Sequence, residues 1–199
     1  MGGYAKGKVA SDWIYRQLYE RIEPDTRVLD LGSGVGLLGL MLVEKSQGCV
    51  IHGIEWDERK VVFAQRLTTP ASACEVQQGD ILKEPWPPAD VIVLVDVLHY
   101  FPESVQKKLL QRIAQHLEPG GILFLRVMNK DVKGRARVTR ILEKAAVAFR
   151  WNRAKDIHWR SLKEIQDDLI ALGLQPTICQ SGFQLLDGNC LIAARKPQL

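Results

Sequence analysis

Apolar residues follow two alternating patterns along the chain. Short apolar runs, typical of parallel strands covered on both faces, alternate with segments whose apolar residues recur every three or four positions, as on an amphipathic helix. The runs predict strands over Arg27–Leu31, Cys49–Ile54, Ala73–Gln77, Val91–Val95 and Ile122–Met128. The periodic segments predict helices over Val9–Ile22, Leu37–Lys45, Glu58–Leu67 and Glu103–Leu117.

The carboxyl-terminal part has a different order of elements. A helix is predicted over Ser161–Leu172, ended by Gly173, and two strands over Gln175–Gln180 and Cys190–Arg195. The strands are joined by Gly182–Asn189, and strands joined this closely pair antiparallel. We therefore expect one domain over 1–199 with an α/β, doubly wound, seven-stranded sheet. The sheet is mostly parallel with an antiparallel last strand, lies between two helix layers, and is preceded by an N-terminal helix within 1–23.

Composition supports a protein with a single core. The 199 residues are 46% hydrophobic and 25% charged, and no apolar stretch reaches the roughly 18 residues that a membrane span needs. The amino terminus lacks the apolar block of a signal peptide, so a cytoplasmic location is expected. No two of the four cysteines form a Cys-x-x-Cys pair, which argues against a zinc site, and no metal is predicted.

The positive charge is concentrated in one segment. The net charge is +4, but Arg126 to Lys163 holds twelve basic and three acidic residues, a local +9, and the rest carries −5. Residues 129–160 are therefore predicted to form a basic, lid-like insertion, with a helix over Val138–Phe149. Its field would attract an anionic substrate, an acidic carrier protein or a membrane surface, although a solvated helix above the site would show the same pattern.

A glycine-rich turn follows the first predicted strand. The segment reads Asp30-Leu31-Gly32-Ser33-Gly34-Val35-Gly36, and backbone amides in such a turn can approach a ligand closely. The dinucleotide pattern Gly-x-Gly-x-x-Gly fails, because Leu37 stands at its last position. An acid at the strand end would also repel two phosphates, whereas it suits a ligand with an amino group and a sulfonium.

Two further acids follow the next two strands. Glu55 ends the second predicted strand and Asp80 follows the third, and ligands of open α/β sheets bind at the carboxyl ends of the strands. Either acid alone would be read as a helix cap. Three acids at successive strand ends instead predict a shared cationic ligand.

With these motifs the chain resembles the class I S-adenosylmethionine-dependent methyltransferases over nearly its whole length. The resemblance implies that Asp30, Gly32, Ser33, Gly34 and Gly36 hold the methionine part of S-adenosylmethionine and that Glu55 binds the ribose hydroxyls. It also implies the remaining contacts of the cofactor. Trp56 and Ile81 would pack on the adenine, Asp80 would take its amino group, and the fourth motif would contribute Asp96 and Val97.

The methyl acceptor should lie near the end of the fourth strand. His99 is one candidate general base, with a structural role as the alternative, and His158 is another. A carboxylate or phenolate acceptor would need no base. A narrower similarity, to small bacterial methyltransferases that accompany aryl polyene and polyketide gene sets, implies a small-molecule or carrier-bound acyl or aryl acceptor.

Two other functions fit the same motifs. The chain could bind S-adenosylmethionine as a sensor or scaffold without turnover, because no residue is decisively catalytic. It could also methylate RNA, given the local charge of +9, although the strand-four motif of amino-methylating DNA enzymes is absent.

Overall fold

The computed structural model describes residues 12–44, 48–68, 73–128, 157–179 and 189–198. Most of the predicted basic insertion, its helix over Val138–Phe149, the start of the first predicted helix and most of the Gly182–Asn189 connection lie outside these residues. The described strands are β1 (Arg27–Leu31), β2 (Val50–Glu55), β3 (Cys74–Gln78), β4 (Val91–Leu94), β5 (Ile122–Met128), β6 (Gln175–Ile178) and β7 (Asn189–Arg195). The described α-helices are α1 (Trp13–Arg21), α2 (Leu37–Glu44), α3 (Glu58–Leu67), α4 (Glu103–His116) and α5 (Leu162–Ala171).

The strands form one sheet in the order β3-β2-β1-β4-β5-β7-β6. Neighbours from β3 to β5 pair in parallel, whereas β7 pairs antiparallel with both β5 and β6. The predicted seven-stranded, mostly parallel sheet with an antiparallel last strand is confirmed. Because β1 and β4 are neighbours while their chain connections lead to opposite sides, the carboxyl ends of β1 and β4 mark the point where a ligand crevice forms.

Side chains of β1 alternate between two separate cores. Leu29 and Leu31 belong to a core that includes residues of α4 and α5, such as Ile113 and Leu169. Val28 belongs to a core on the other face, with Ile14 of α1 and several residues of α2. The sheet is thus covered on both faces, which explains the continuous apolar runs in the sequence.

The same alternation decides which polar side chains meet. Asp30 is two residues after Val28 on β1, and Arg126 is two residues after Phe124 on β5, so both side chains point to the face of the sheet that carries α1. Helix α1, the acidic Asp30 and the basic Arg126 are therefore on the same face of the sheet, near the carboxyl ends of the central strands.

Candidate active site at the carboxyl ends of the strands

The glycine turn after β1 has the backbone that its sequence predicts. Gly32, Gly34 and Gly36 have φ angles of 78°, 60° and 72°, in the left-handed region that glycine adopts without strain. A Cβ atom at Gly32 would clash with the side chain of Val97, whereas one at Gly34 would meet no atom within 4 Å. The turn is thus packed on one side against the loop after β4 and open at Gly34, where a ligand can approach its backbone.

Two carboxylates lie beside this turn. Asp30 is 6% exposed and Glu55 is 5% exposed. Glu55 accepts hydrogen bonds from the backbone N–H of Gly34 at Oε2 (2.9 Å) and from that of Asp57 at Oε1 (3.0 Å). Burial, together with the nearby charge of Glu55, raises the pKa of Asp30 to about 7. A cation bound here would relieve the burial of negative charge.

The third acid is placed differently. Asp80 follows β3 at the same edge, and the backbone N–H of Gly79 donates to the carbonyl of Glu55 (3.0 Å). The Asp80 side chain accepts from the amide of Leu82 (2.9 Å) and is 40% exposed. The Asp80 side chain therefore stabilises the turn in which it lies, as expected of a capping residue. It is also partly exposed to solvent at the carboxyl edge of the sheet.

The apolar candidates differ in exposure. Trp56 follows Glu55 and is 52% exposed. Ile81 is buried within the core, while its neighbour Leu82 is 37% exposed. Arg112 of α4 holds this loop, because it donates to the carbonyl of Ile81 (3.0 Å) and lies 3.9 Å from the ring centroid of Trp86.

The turn after β4 is backbone-strained. Asp96 has a φ of 58°, a conformation that costs free energy in a residue other than glycine and that is concentrated at functional sites. Val97 follows it and packs against Gly32, and a short 3₁₀ turn over Leu98–Tyr100 follows Val97. The positions of Asp96 and Val97 thus depend on each other and on the glycine turn.

The two candidate histidines lie together. The backbone N–H of His158 donates to the carbonyl of His99 (2.8 Å), and both residues line a cavity of about 10 Å³. The His99 ring stacks on that of Trp159, with centroids 4.7 Å apart, and its buried Nε2 atom has no hydrogen-bond partner among the described residues. Burial lowers the pKa of His99 to about 4, so its imidazole is neutral at physiological pH.

Two arginines near the ends of the basic segment, Arg126 and Arg160, do not face solvent as the charge count suggested, whereas the Lys163 side chain is 82% exposed. Arg126 forms ion pairs with Asp12 (2.7 Å) and Asp96 (3.0 Å), and its side chain is 13% exposed. Arg160 is buried and paired with Asp168 (2.7 Å). These two arginines therefore belong to internal networks and contribute little to an outer field. Apart from Lys163, which is paired with Asp167, the predicted attraction of an anionic partner rests on residues 129–156, outside the described part.

Sequence reasoning missed three residues at this site. Asp12 and Tyr15 of the first helix region and Arg126 of β5 lie near Asp30 and Asp96. Tyr15 is partly buried, and this burial together with the charges of Asp30 and Asp96 raises its pKa well above the usual range. A tyrosine and an aspartate at helical spacing give no signal of their own, since the contact appears only when α1 packs on the sheet.

A family model described as "Methyltransferase domain" matches residues 3–177. The chain is 33% identical over 112 residues to acetylserotonin O-methyltransferase of Mus musculus, covering 52% of this chain and 28% of that protein. It is also 33% identical over 109 residues to carboxy-S-adenosyl-L-methionine synthase of Shewanella oneidensis, covering 52% and 45%. The chain thus spans less than half the length of these curated relatives.

Solved structures share the fold. Human N-acetylserotonin methyltransferase in complex with S-adenosylmethionine superposes with a TM-score of 0.70 at 22% identity, covering 92% of this chain and 52% of that one. A methyltransferase from Haloferax volcanii, solved with the Trm112 activator, gives 0.73 at 18% identity, covering 98% and 95%. Because the family model matches most of the chain, the protein belongs to the methyltransferase domain family.

Proposed function

We propose that this chain methylates a small-molecule acceptor with S-adenosylmethionine. The observation that carries the proposal is the pair of buried carboxylates, Asp30 and Glu55, beside a glycine turn that is open at Gly34. Buried carboxylates are costly without a positive partner, and S-adenosylmethionine brings a sulfonium and an ammonium group. The residues present therefore fit this cofactor and disfavour a dinucleotide.

The assignment of residues to parts of the cofactor follows the sequence prediction. Asp30 and the turn residues Gly32, Ser33, Gly34 and Gly36 would hold the methionine part, and Glu55 would accept from the ribose hydroxyls. Trp56, Asp80 and Ile81 would form the adenine end. Asp96 and Val97 would lie between the cofactor and the acceptor. When bound, the cofactor supplies a methyl group activated by a positively charged sulfur.

His99 is proposed as the group that takes the acceptor proton. Its Nε2 atom has no hydrogen-bond partner among the described residues, and its imidazole is neutral at physiological pH. The residue also lines a cavity of about 10 Å³, which is enough for one water-sized group such as a hydroxyl. The acceptor O–H proton would pass to Nε2 as the acceptor oxygen takes the methyl group and the bond between the methyl carbon and the cofactor sulfur breaks, which leaves a neutral thioether. His158 would position His99 through its backbone hydrogen bond.

The small-molecule acceptor class is supported by similarity. The human and mouse relatives are named for acetylserotonin, a small aromatic molecule. A carrier-bound acyl or aryl acceptor is a narrower proposal, because the basic residues that would bind an acidic carrier lie between 129 and 156. Their count, nine basic and three acidic, is the remaining argument for it.

The test is binding followed by turnover. Calorimetry should detect S-adenosylmethionine binding at micromolar to millimolar concentrations, and its absence at millimolar ligand would overturn the proposal. A panel of aryl alcohols, acyl-loaded carrier protein and RNA, assayed with methyl-labelled cofactor, then separates the acceptor classes. Label transfer to RNA alone would favour a nucleic-acid methyltransferase, and binding without any transfer would favour a sensor or scaffold.

A further inference from the structure

Three charged residues from distant parts of the chain meet at the edge of the site. Arg126 Nη1 on β5 donates to Asp12 Oδ2 at 2.7 Å and to Asp96 Oδ2 at 3.0 Å. The Asp12 and Arg126 side chains are 15% and 13% exposed. We call these residues the Asp12–Arg126–Asp96 clamp. It joins the segment before α1 to the ends of two central strands.

Each carboxylate of the clamp has a second structural task. Asp12 caps α1, because its Oδ1 accepts from the amide of Ile14 at 3.2 Å. Asp96 is the residue with φ of 58°, and the next residue, Val97, packs on Gly32 of the glycine turn. Arg126 therefore links the start of a helix to the shape of the turn beside the buried acids.

Helix α1 reaches the acids themselves. The phenol of the partly buried Tyr15 lies where the charges of Asp30, Asp96 and Asp12 all raise its pKa. The helix is held in place by Ile14, Leu18 and Ile22, which are at most 1% exposed in the core on that face. Helix α1 is thus a wall of the acid-lined edge rather than a separate appendage.

Within the part of the chain that the structure describes, the carboxylates at this wall outnumber the cations. Asp12 and Asp96 share the single charge of Arg126, and Asp30 is buried a short distance away, so carboxylates outnumber this cation. Buried negative charge without a partner is unfavourable. A cationic ligand at the edge would stabilise the arrangement in which α1 is docked, and by reciprocity docking of α1 would raise the affinity for the ligand.

We propose that Arg126 is a positioning residue that clamps α1 over the cofactor edge, so that S-adenosylmethionine binding and docking of α1 are coupled. The inference rests on the proposed function, since it takes the acid-lined edge as the cofactor site. It adds a role for a residue to which the proposed function assigns no contact with the cofactor and no part in proton transfer. The role is conformational as well as electrostatic, because Arg126 bridges two elements.

The experiment is hydrogen exchange of the full chain with and without S-adenosylmethionine. In the wild type, saturating cofactor should slow exchange of the α1 amides at least about tenfold. In Arg126→Gln this protection should be lost, and the dissociation constant for S-adenosylmethionine should rise about tenfold. Arg126→Lys, which keeps the charge, should restore part of both effects. Asp12→Asn keeps the capping oxygen but loses the ion pair, so it should resemble Arg126→Gln.

A matched control lies on the same helix. Arg16 and Glu20 form an exposed ion pair at 2.9 Å, so Glu20→Gln removes an α1 ion pair away from the site and should change neither readout. If the wild type binds S-adenosylmethionine while α1 exchange stays unchanged, the coupling is overturned and the proposed function stands. If the wild type does not bind S-adenosylmethionine, both the coupling and the proposed function are overturned. If Arg126→Gln does not fold, Asp12→Asn is the test. Wild-type protection of the α1 amides by S-adenosylmethionine in Asp12→Asn would contradict the proposed role of the clamp.

Discussion

The carboxylate of Glu55 reaches across from β2 to the turn after β1, where its Oε2 atom accepts from the Gly34 amide at 2.9 Å. Two strands that pair in parallel over five residue positions are thereby joined again beyond their ends. Of the three glycines in this turn, Gly34 is the one at which an added Cβ would meet no atom within 4 Å. Glu55 therefore holds the turn in the shape that leaves this opening.

Loss of the Glu55 carboxylate should weaken the cofactor more than it weakens the fold. Glu55→Ala removes charge-assisted hydrogen bonds to the ribose and should cost about 1–3 kcal/mol of binding free energy, a rise of about 5- to 150-fold in the dissociation constant. Glu75→Ala is the matched control, because Glu75 lies on β3 with a side chain 76% exposed. Equal dissociation constants for Glu55→Ala and Glu75→Ala in calorimetry would contradict the ribose assignment.

The affinity for S-adenosylmethionine should depend on the ionisation of Asp30. Its pKa is raised to about 7 by burial and by Glu55, so a falling pH protonates it and removes the charge that a cation needs. Binding should therefore tighten as the pH rises from 6 to 8, with release of a proton. The cofactor's own amino group titrates near this range, so Asp30→Asn is the reference, and its affinity should follow that group alone. Calorimetry in buffers of different ionisation enthalpy counts the protons.

The same group acts on stability in the opposite direction. Since the pKa of Asp30 in the folded protein is above its value of about 3.8 in the unfolded chain, its contribution is fully present below pH 4 and is lost as the pH rises through 7. Without cofactor, the free energy of unfolding of Asp30→Asn should therefore increase relative to that of the wild type as the pH rises above 7. Urea unfolding at pH 5 and pH 8 measures this, and an unchanged difference between wild type and variant at the two pH values would contradict the burial argument.

Local sequence patterns predicted the sheet better than they predicted the site. The bounds of β1, α3 and β5 were predicted as the structure has them, because each is a short apolar or amphipathic run with a clear break on both sides. The prediction for β2 ended one residue early, because Glu55 pairs with Gln78 although it is charged. The Asp12–Arg126 contact joins residues 114 positions apart, and no periodicity links them. A long-range ion pair of this kind becomes visible only in the folded chain.

Glycine replacements should separate packing from backbone strain. Gly32→Ala places a methyl group against Val97 and also forces an unfavourable φ, so it should cost more stability than Gly34→Ala, which has space and only the strain. We expect about 1 kcal/mol for the strain of each left-handed residue and a further 1–3 kcal/mol for the clash at Gly32. Thermal and urea unfolding of both variants provide the comparison, and equal losses would show that Val97 moves freely.

The rate of methyl transfer should show how His99 acts. With the pKa of His99 lowered to about 4 by burial, the acid limb of kcat should fall near pH 4 rather than near 6.5, and the rate should be flat from pH 5 to 7. His99→Gln should lower kcat about 100-fold or more, while the dissociation constant for S-adenosylmethionine stays within about twofold, because the side chain acts on the acceptor. His158→Gln is the comparison, since that residue holds His99 through its backbone and should keep most of the rate. If His99→Gln instead lost as much cofactor affinity as rate, the role of the imidazole would be structural, in packing against Trp159 and the turn after β4.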